Sequence, residues 1–150
     1  MNRFQATVES FDARDGFAWL KVPGGRLAGR LWPEIRKGEV AAIRVRASDV
    51  ILCAGHPGRV SARNVLPGHV ASLKRVPEGV YVTVDVGFPL VALVTRRAVF
   101  ELGLARGSSV FAIVKASAVV PEVEVRPRIR ISVIGADGEI GADRLDFLRA

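Results

Sequence analysis

Two short runs of the chain carry residue types that could hold an anion. Ser61, Ala62, Arg63 and Asn64 form the first, and Lys115, Ala116 and Ser117 follow further along. A tetrahedral oxyanion needs several donors converging on a small volume: hydroxyls, backbone N–H groups and one or two cations. Ser61, Arg63, Lys115 and Ser117 supply those types. From composition alone, the simpler reading of the same residues is a polar strand start followed by a solvated lysine.

Reactive chemistry is harder to find. Gly24-Gly25-Arg26-Leu27-Ala28-Gly29-Arg30 lacks the Lys-Ser/Thr ending of a phosphate loop, so no ATP hydrolysis is expected. His56 and His69 stand apart from any Glu-Xaa-Xaa-His or Cys-His pattern and read as solvated. The one cysteine, Cys53, rules out an internal disulfide framework or a CxxC zinc site, and reads as a small buried hydrophobe. No paired carboxylates stand out for acid–base work. The expectation is a binding protein, with no enzyme activity and no metal site.

The chain has 150 residues, 22 Lys and Arg against 15 Asp and Glu, and a formal charge of +7. That excess raises the local concentration of anions from small oxyanions to nucleic acid, and it serves solubility equally well. Hydrophobic residues make up 49%, which is enough for a core and argues against disorder. No run reaches the ~18 apolar residues of a membrane span, and Met1-Asn2-Arg3-Phe4-Gln5 has no apolar signal core. A cytoplasmic protein without membrane insertion is expected.

The elements that must position these residues are short, Val-rich runs between glycine turns, which predict strands. Val80-Tyr81-Val82-Thr83-Val84-Asp85-Val86 alternates strictly, as a half-buried antiparallel strand does. Leu90 to Val94 and Val110 to Val114 are continuous apolar runs, expected to be covered on both faces. One helix is marked: Thr95 caps its start, Ala98, Val99 and Leu102 form its apolar stripe, and Gly103 ends it. An internal repeat organises the whole. Gly38 to Val50 runs parallel to Gly107 to Val119, setting Arg46-Ala47-Ser48 opposite Lys115-Ala116-Ser117, while Asn2 and Val8 fall opposite Asn64 and Val70. Where the second copy has the helix, the first has the shorter turn Leu31-Trp32-Pro33-Glu34-Ile35.

Ser61-Ala62-Arg63-Asn64-Val65-Leu66-Pro67-Gly68, Leu102-Gly103-Leu104-Ala105-Arg106-Gly107 and Val110-Phe111-Ala112-Ile113-Val114-Lys115-Ala116-Ser117 together resemble the molbindin (Mop) or TOBE module. The first copy is similar to the preceding half-module in the C-terminal region of molybdate-importer ATPase subunits. The resemblance implies an all-β fold with one or two short helices, built as tandem OB-like small β-barrel modules. Residues 1–55 would be a first, degenerate module, 56–59 a linker, 60–121 the second module, and 122–150 a C-terminal strand and helix arm. It also implies molybdate or tungstate as ligand, held at module or subunit interfaces by Ser61, Ala62, Arg63, Asn64, Lys115, Ala116 and Ser117. A degenerate second site would use Arg46, Ala47 and Ser48, because Met1-Asn2 stands where a second Ser-Ala-Arg-Asn belongs. Assembly as a homodimer or homotrimer, contact with molybdate-importer components, and a part in storage, homeostasis or regulation of import follow from the same resemblance.

Two other readings compete. Phe17 and Trp19 share a strand face near Arg14 and Lys21, which would suit an OB-type single-stranded nucleic-acid binder if the rings were exposed. Core packing is the simpler role for them, so nucleic acid is not the expected partner. A structural regulatory domain without a functional anion site is the third. In the C-terminal stretch, Arg128 to Val133 alternates like a strand and Ala142 to Arg149 reads as a short helix.

Overall fold

The computed structural model describes residues 1–122; the strand and helix expected at 128–133 and 142–149 lie outside the described residues. Val-rich runs between glycine turns form the strands β1 (Asn2–Asp12), β2 (Phe17–Val22), β3 (Gly25–Arg30), β4 (Val40–Val45) and β5 (Ile51–Cys53). They recur as β6 (Asn64–Val76), β7 (Gly79–Asp85), β8 (Pro89–Val94), β9 (Ser109–Val114) and β10 (Val120–Pro121). A 3₁₀ turn follows β4 at Ala47–Asp49 and another follows β9 at Ala116–Ala118. The fold is all-β with OB-like curled sheets, as expected.

Each sheet has five strands, ordered β10-β4-β1-β2-β3 and β5-β9-β6-β7-β8, and every pairing is antiparallel. The repeat is visible in local detail. Register shifts fall between Val8 and Ser10 in β1 and between Val70 and Ser72 in β6. At those bulges Val8 exchanges backbone bonds with Gly38 and Glu39, and Val70 does so with Gly107 and Ser108.

The outermost strands break the sequence order. After its 3₁₀ turn, β5 pairs with β9, whereas β10 crosses back to pair with β4. Each half of the chain thus lends its last strand to the other half's sheet. Two buried asparagines reinforce the exchange. The Asn2 amide donates to the carbonyls of Val45 (3.1 Å) and Val91 (2.9 Å), and its oxygen accepts from the Val91 N–H at 2.8 Å. The Asn64 amide donates to the Ala28 carbonyl at 2.9 Å and its oxygen accepts from the Ala28 N–H at 2.7 Å. Asn2 therefore holds β8, and Asn64 holds β3. Where the β2–β3 and β7–β8 turns meet, Gly24 (φ +88°) and Gly87 (φ +110°) touch, and a Cβ on Gly24 would stand 2.8 Å from the Gly87 Cα. Both positions need glycine for conformation and for closeness.

Buried apolar side chains of both sheets, among them Leu20, Ile43, Val82, Leu90 and Val110, form one continuous core. Val80, Val82 and Val84 point into it while Tyr81 and Thr83 stay half-buried, as the alternation predicts. In β8 only Leu90 and Ala92 are fully buried, so the expected cover on both faces is incomplete; β8 is an edge strand with one face on the core. The helix, α1 (Arg96–Leu102), has the expected ends. Thr95 Oγ1 accepts from the Ala98 N–H at 3.0 Å, and Gly103 closes it at φ 61°, ψ 39°. Cys53 is half-buried rather than buried, because β5 is a three-residue edge strand.

Candidate functional site

The end of β4 and the end of β9 deliver matching dipeptides into matching turns. Arg46 (φ −71°, ψ 137°) precedes the first 3₁₀ turn, and Lys115 (φ −71°, ψ 147°) precedes the second. The backbone is still extended at both positions, the 3₁₀ turn that follows ends each strand, and the cationic side chains remain exposed. Ala47 is buried beneath its turn and Ala116 is half-buried, so the small residue in each motif anchors the turn. Ser48 and Ser117 are exposed.

The first turn packs on β8 and the second on β3, and the two motifs border one cleft. Arg46, Ser48, Lys115 and Ser117 line one cleft of about 420 Å³, with Ala62, Asp49, Ile51 and Ile113 completing its walls. Asp49 Oδ2 lies 3.2 Å from Arg46 Nε and partly offsets that charge. Lys115 takes part in no ion pair among the described residues. The cleft is open, positively charged and furnished with two hydroxyls, which suits a small anion.

The remaining sequence-derived residues are distributed differently. Arg63 lines a neighbouring depression with Arg30, Ala116, Ser117 and Asp15. Ser61 is exposed and borders neither hollow. Asn64 is only 2% exposed and both its side-chain polar atoms are engaged by the Ala28 backbone, so it positions the segment before it. Arg30 and Arg44 were not singled out from the sequence. They line a further cleft beside the first, and the alternation Arg44-Val45-Arg46 was the available signal, since it sends both arginines to one side of β4.

Phe17 is buried and Trp19 is half-buried, with the Arg26 guanidinium 4.0 Å from its ring centre. The two rings pack edge-to-face with centroids 5.1 Å apart. His69 is exposed on β6. His56 Nδ1 accepts from the Gly58 N–H at 3.0 Å and its ring meets Phe111 edge-on, so it shapes its own turn. Among the described residues no group of three His, Cys, Asp or Glu side chains is placed to hold a metal ion, and no helix is long and apolar enough to cross a membrane.

Comparison with known proteins places this geometry in context. The TOBE domain family profile matches residues 60–121. The chain is 38% identical over 123 residues to the molybdenum import ATP-binding protein ModC of Rhodopseudomonas palustris (strain HaA2), covering 78% of this chain and 32% of that protein. It is 33% identical over 123 residues to the ModC of Hahella chejuensis (strain KCTC 2396), covering 77% of this chain and 33% of that protein. The chain therefore spans about a third of the length of the curated relatives it matches. Among solved structures it is similar to the cytoplasmic molybdate-binding protein ModG in its molybdate-bound form, with a TM-score of 0.71 and 31% identity, over 82% of this chain and 96% of that one.

Proposed function

This chain belongs to the TOBE/molbindin family, and on that premise we infer that it binds molybdate, with tungstate as the alternative oxyanion, and does no chemistry on it. One observation carries the reading: Arg46, Ser48, Lys115 and Ser117, brought from two distant parts of the chain, share one open cleft with Ala62. Lys115 supplies a mobile point charge that can close on a dianion, and the serine hydroxyls donate to its oxygens. Arg46 contributes less charge than Lys115 because Asp49 already pairs with it. Arg63 lines the neighbouring hollow together with Ala116 and Ser117 of the second turn. Sulfate has the same charge and shape and is smaller, so selectivity depends on how far apart these donors are held.

Binding without reaction fits a role in molybdenum storage, homeostasis or regulation of molybdate import in the cytoplasm, in contact with importer components. Assembly as a homodimer or homotrimer is part of the proposal; Val40, Ile51 and Phe100, at 63%, 60% and 83% exposure, are apolar surface such an assembly would cover.

Equilibrium dialysis against molybdate, with molybdenum counted on each side of the membrane, tests the reading. The native chain should retain molybdenum, and Lys115→Gln should weaken retention about tenfold, the usual worth of one charge-assisted contact. No retention by the folded native chain, or equal retention by Lys115→Gln, would overturn it.

A further inference from the structure

Helix α1 leaves a small hollow that oxyanion binding does not use. About 140 Å³ of space is lined by Leu73 and Arg75 of β6, Val80 of β7, and Arg96 and Val99 of the helix. It shares no lining residue with the clefts at the two 3₁₀ turns. Nor does the repeat supply a counterpart. Shifted by the 62 residues that relate the bulges of β1 and β6, Leu73, Arg75 and Val80 fall on Phe11, Ala13 and Ala18. The first half has no arginine at that place and no helix, and its Phe11 is 45% exposed where Leu73 is half-buried. The hollow belongs to the second half alone.

Strand register explains its construction. Leu73 pairs with Val82 and Arg75 with Val80, and both valines are buried, so Leu73 and Arg75 stand on the core side of β6. Beyond β8, the Thr95 cap starts the helix at Arg96, and Val99, three residues on, shares its face. Leu73, Val80 and Val99 make an apolar floor, while Arg75 and Arg96 remain exposed at its rim.

The one carboxylate of the helix, Glu101, lies 3.6 Å from Arg97. Arg75 and Arg96 take part in no ion pair among the described residues. Two positive groups on one small hollow favour an anion placed between them. The floor decides which anion. An inorganic oxyanion is polar on every side and loses hydration against apolar walls. A carboxylate on a short hydrocarbon chain can bury the chain while planar guanidinium forks hold its oxygens. Size follows from volume, since an apolar cavity of roughly 150 Å³ holds the six heavy atoms of benzene. We propose that this hollow binds a carboxylate carrying an apolar group of about three or four carbons, as a short aliphatic acid or as the end of a peptide whose last residue is apolar.

Chemical-shift titration of the full chain with sodium butyrate, at ionic strength matched by sodium chloride, tests the site. Saturable shifts should centre on the amides of Leu73, Val80 and Val99. Butyrate should bind about tenfold more tightly than acetate, because each buried methylene is worth about fourfold. Arg75→Gln and Arg96→Gln should each weaken butyrate about tenfold. Arg97→Gln removes a charge from the same helix outside the hollow and should bind butyrate as the native chain does. N-acetylleucine, which mimics an apolar peptide end, separates the sources: tighter binding than butyrate assigns the hollow to a peptide terminus, and weaker binding assigns it to a free acid. No saturable shift at the hollow, equal affinity for acetate and butyrate, indifference to Arg75→Gln and Arg96→Gln, or equal weakening by Arg97→Gln would each overturn the proposal. Arg96 lies outside the first cleft, so Arg96→Gln should retain molybdate as the native chain does, and failure here is read separately from failure of the oxyanion reading.

Discussion

Asn64 belongs to the sequence run that first suggested an anion site, yet its polar atoms are turned inward to the Ala28 backbone. Truncating it strands a buried N–H and a buried carbonyl, each of which costs a kcal/mol or more. Asn64→Ala should therefore lower stability by about 3 kcal/mol, measured by urea denaturation. Lys115→Gln is the opposite case: an exposed side chain outside any ion pair among the described residues. Its stability should stay within about 0.5 kcal/mol of native while anion binding falls. The two variants separate a residue that positions the site from one that contacts the ligand. Residue types alone do not make that distinction, because an asparagine beside an arginine reads as a donor until its burial is known.

At the scale of elements, the helix was the most legible part, because its signals are local. Thr95 and Gly103 act within a turn of where they stand, and Thr95→Ala should cost about 1 kcal/mol of stability through the lost cap. The alternating strand β7 was legible for the same reason. The exchange of β5 and β10 was not: strands of three and two residues carry no periodicity, and their partners lie far away in sequence. The glycine contact between the two hairpin turns was equally hidden, since Pro23-Gly24-Gly25 looks like any turn. Gly87→Ala should cost about 3 kcal/mol, from left-handed backbone strain plus overpacking against Gly24. Gly16→Ala, also at positive φ but with open space around it, should cost only about 1 kcal/mol. Urea midpoints of the pair would isolate the contribution of the turn contact.

For the whole molecule, reciprocal strand exchange, the paired asparagines and a shared core tie the halves into one unit. Trp19 and Trp32, the chain's two tryptophans, lie in the first half and report on it, while far-ultraviolet circular dichroism reports on both sheets. The two transitions should coincide in urea; a tryptophan transition that precedes the dichroism change would contradict a single cooperative unit. The duplicated plan and the motifs that face one cleft could be read from the sequence as a repeat, 62 residues apart at Asn2 and Asn64 and 69 apart at Arg46 and Lys115. Arg44, on the strand whose end carries Arg46, and Arg30, on β3, line a hollow beside the first cleft. The Arg44-Val45-Arg46 alternation places one of them, whereas Arg30, arriving from a separate strand, leaves no spacing to recognise.

The central claim, that the cleft shared by Arg46, Ser48, Lys115 and Ser117 holds an oxyanion, is met most directly by calorimetry. Molybdate would be titrated into the full chain with sulfate as the control, on protein whose assembly mass is measured in the same buffer. Saturable binding of molybdate with much weaker binding of sulfate is the expected result, and the stoichiometry per chain counts the occupied clefts. A folded assembly that releases no heat with molybdate, or binds sulfate equally well, would contradict the account.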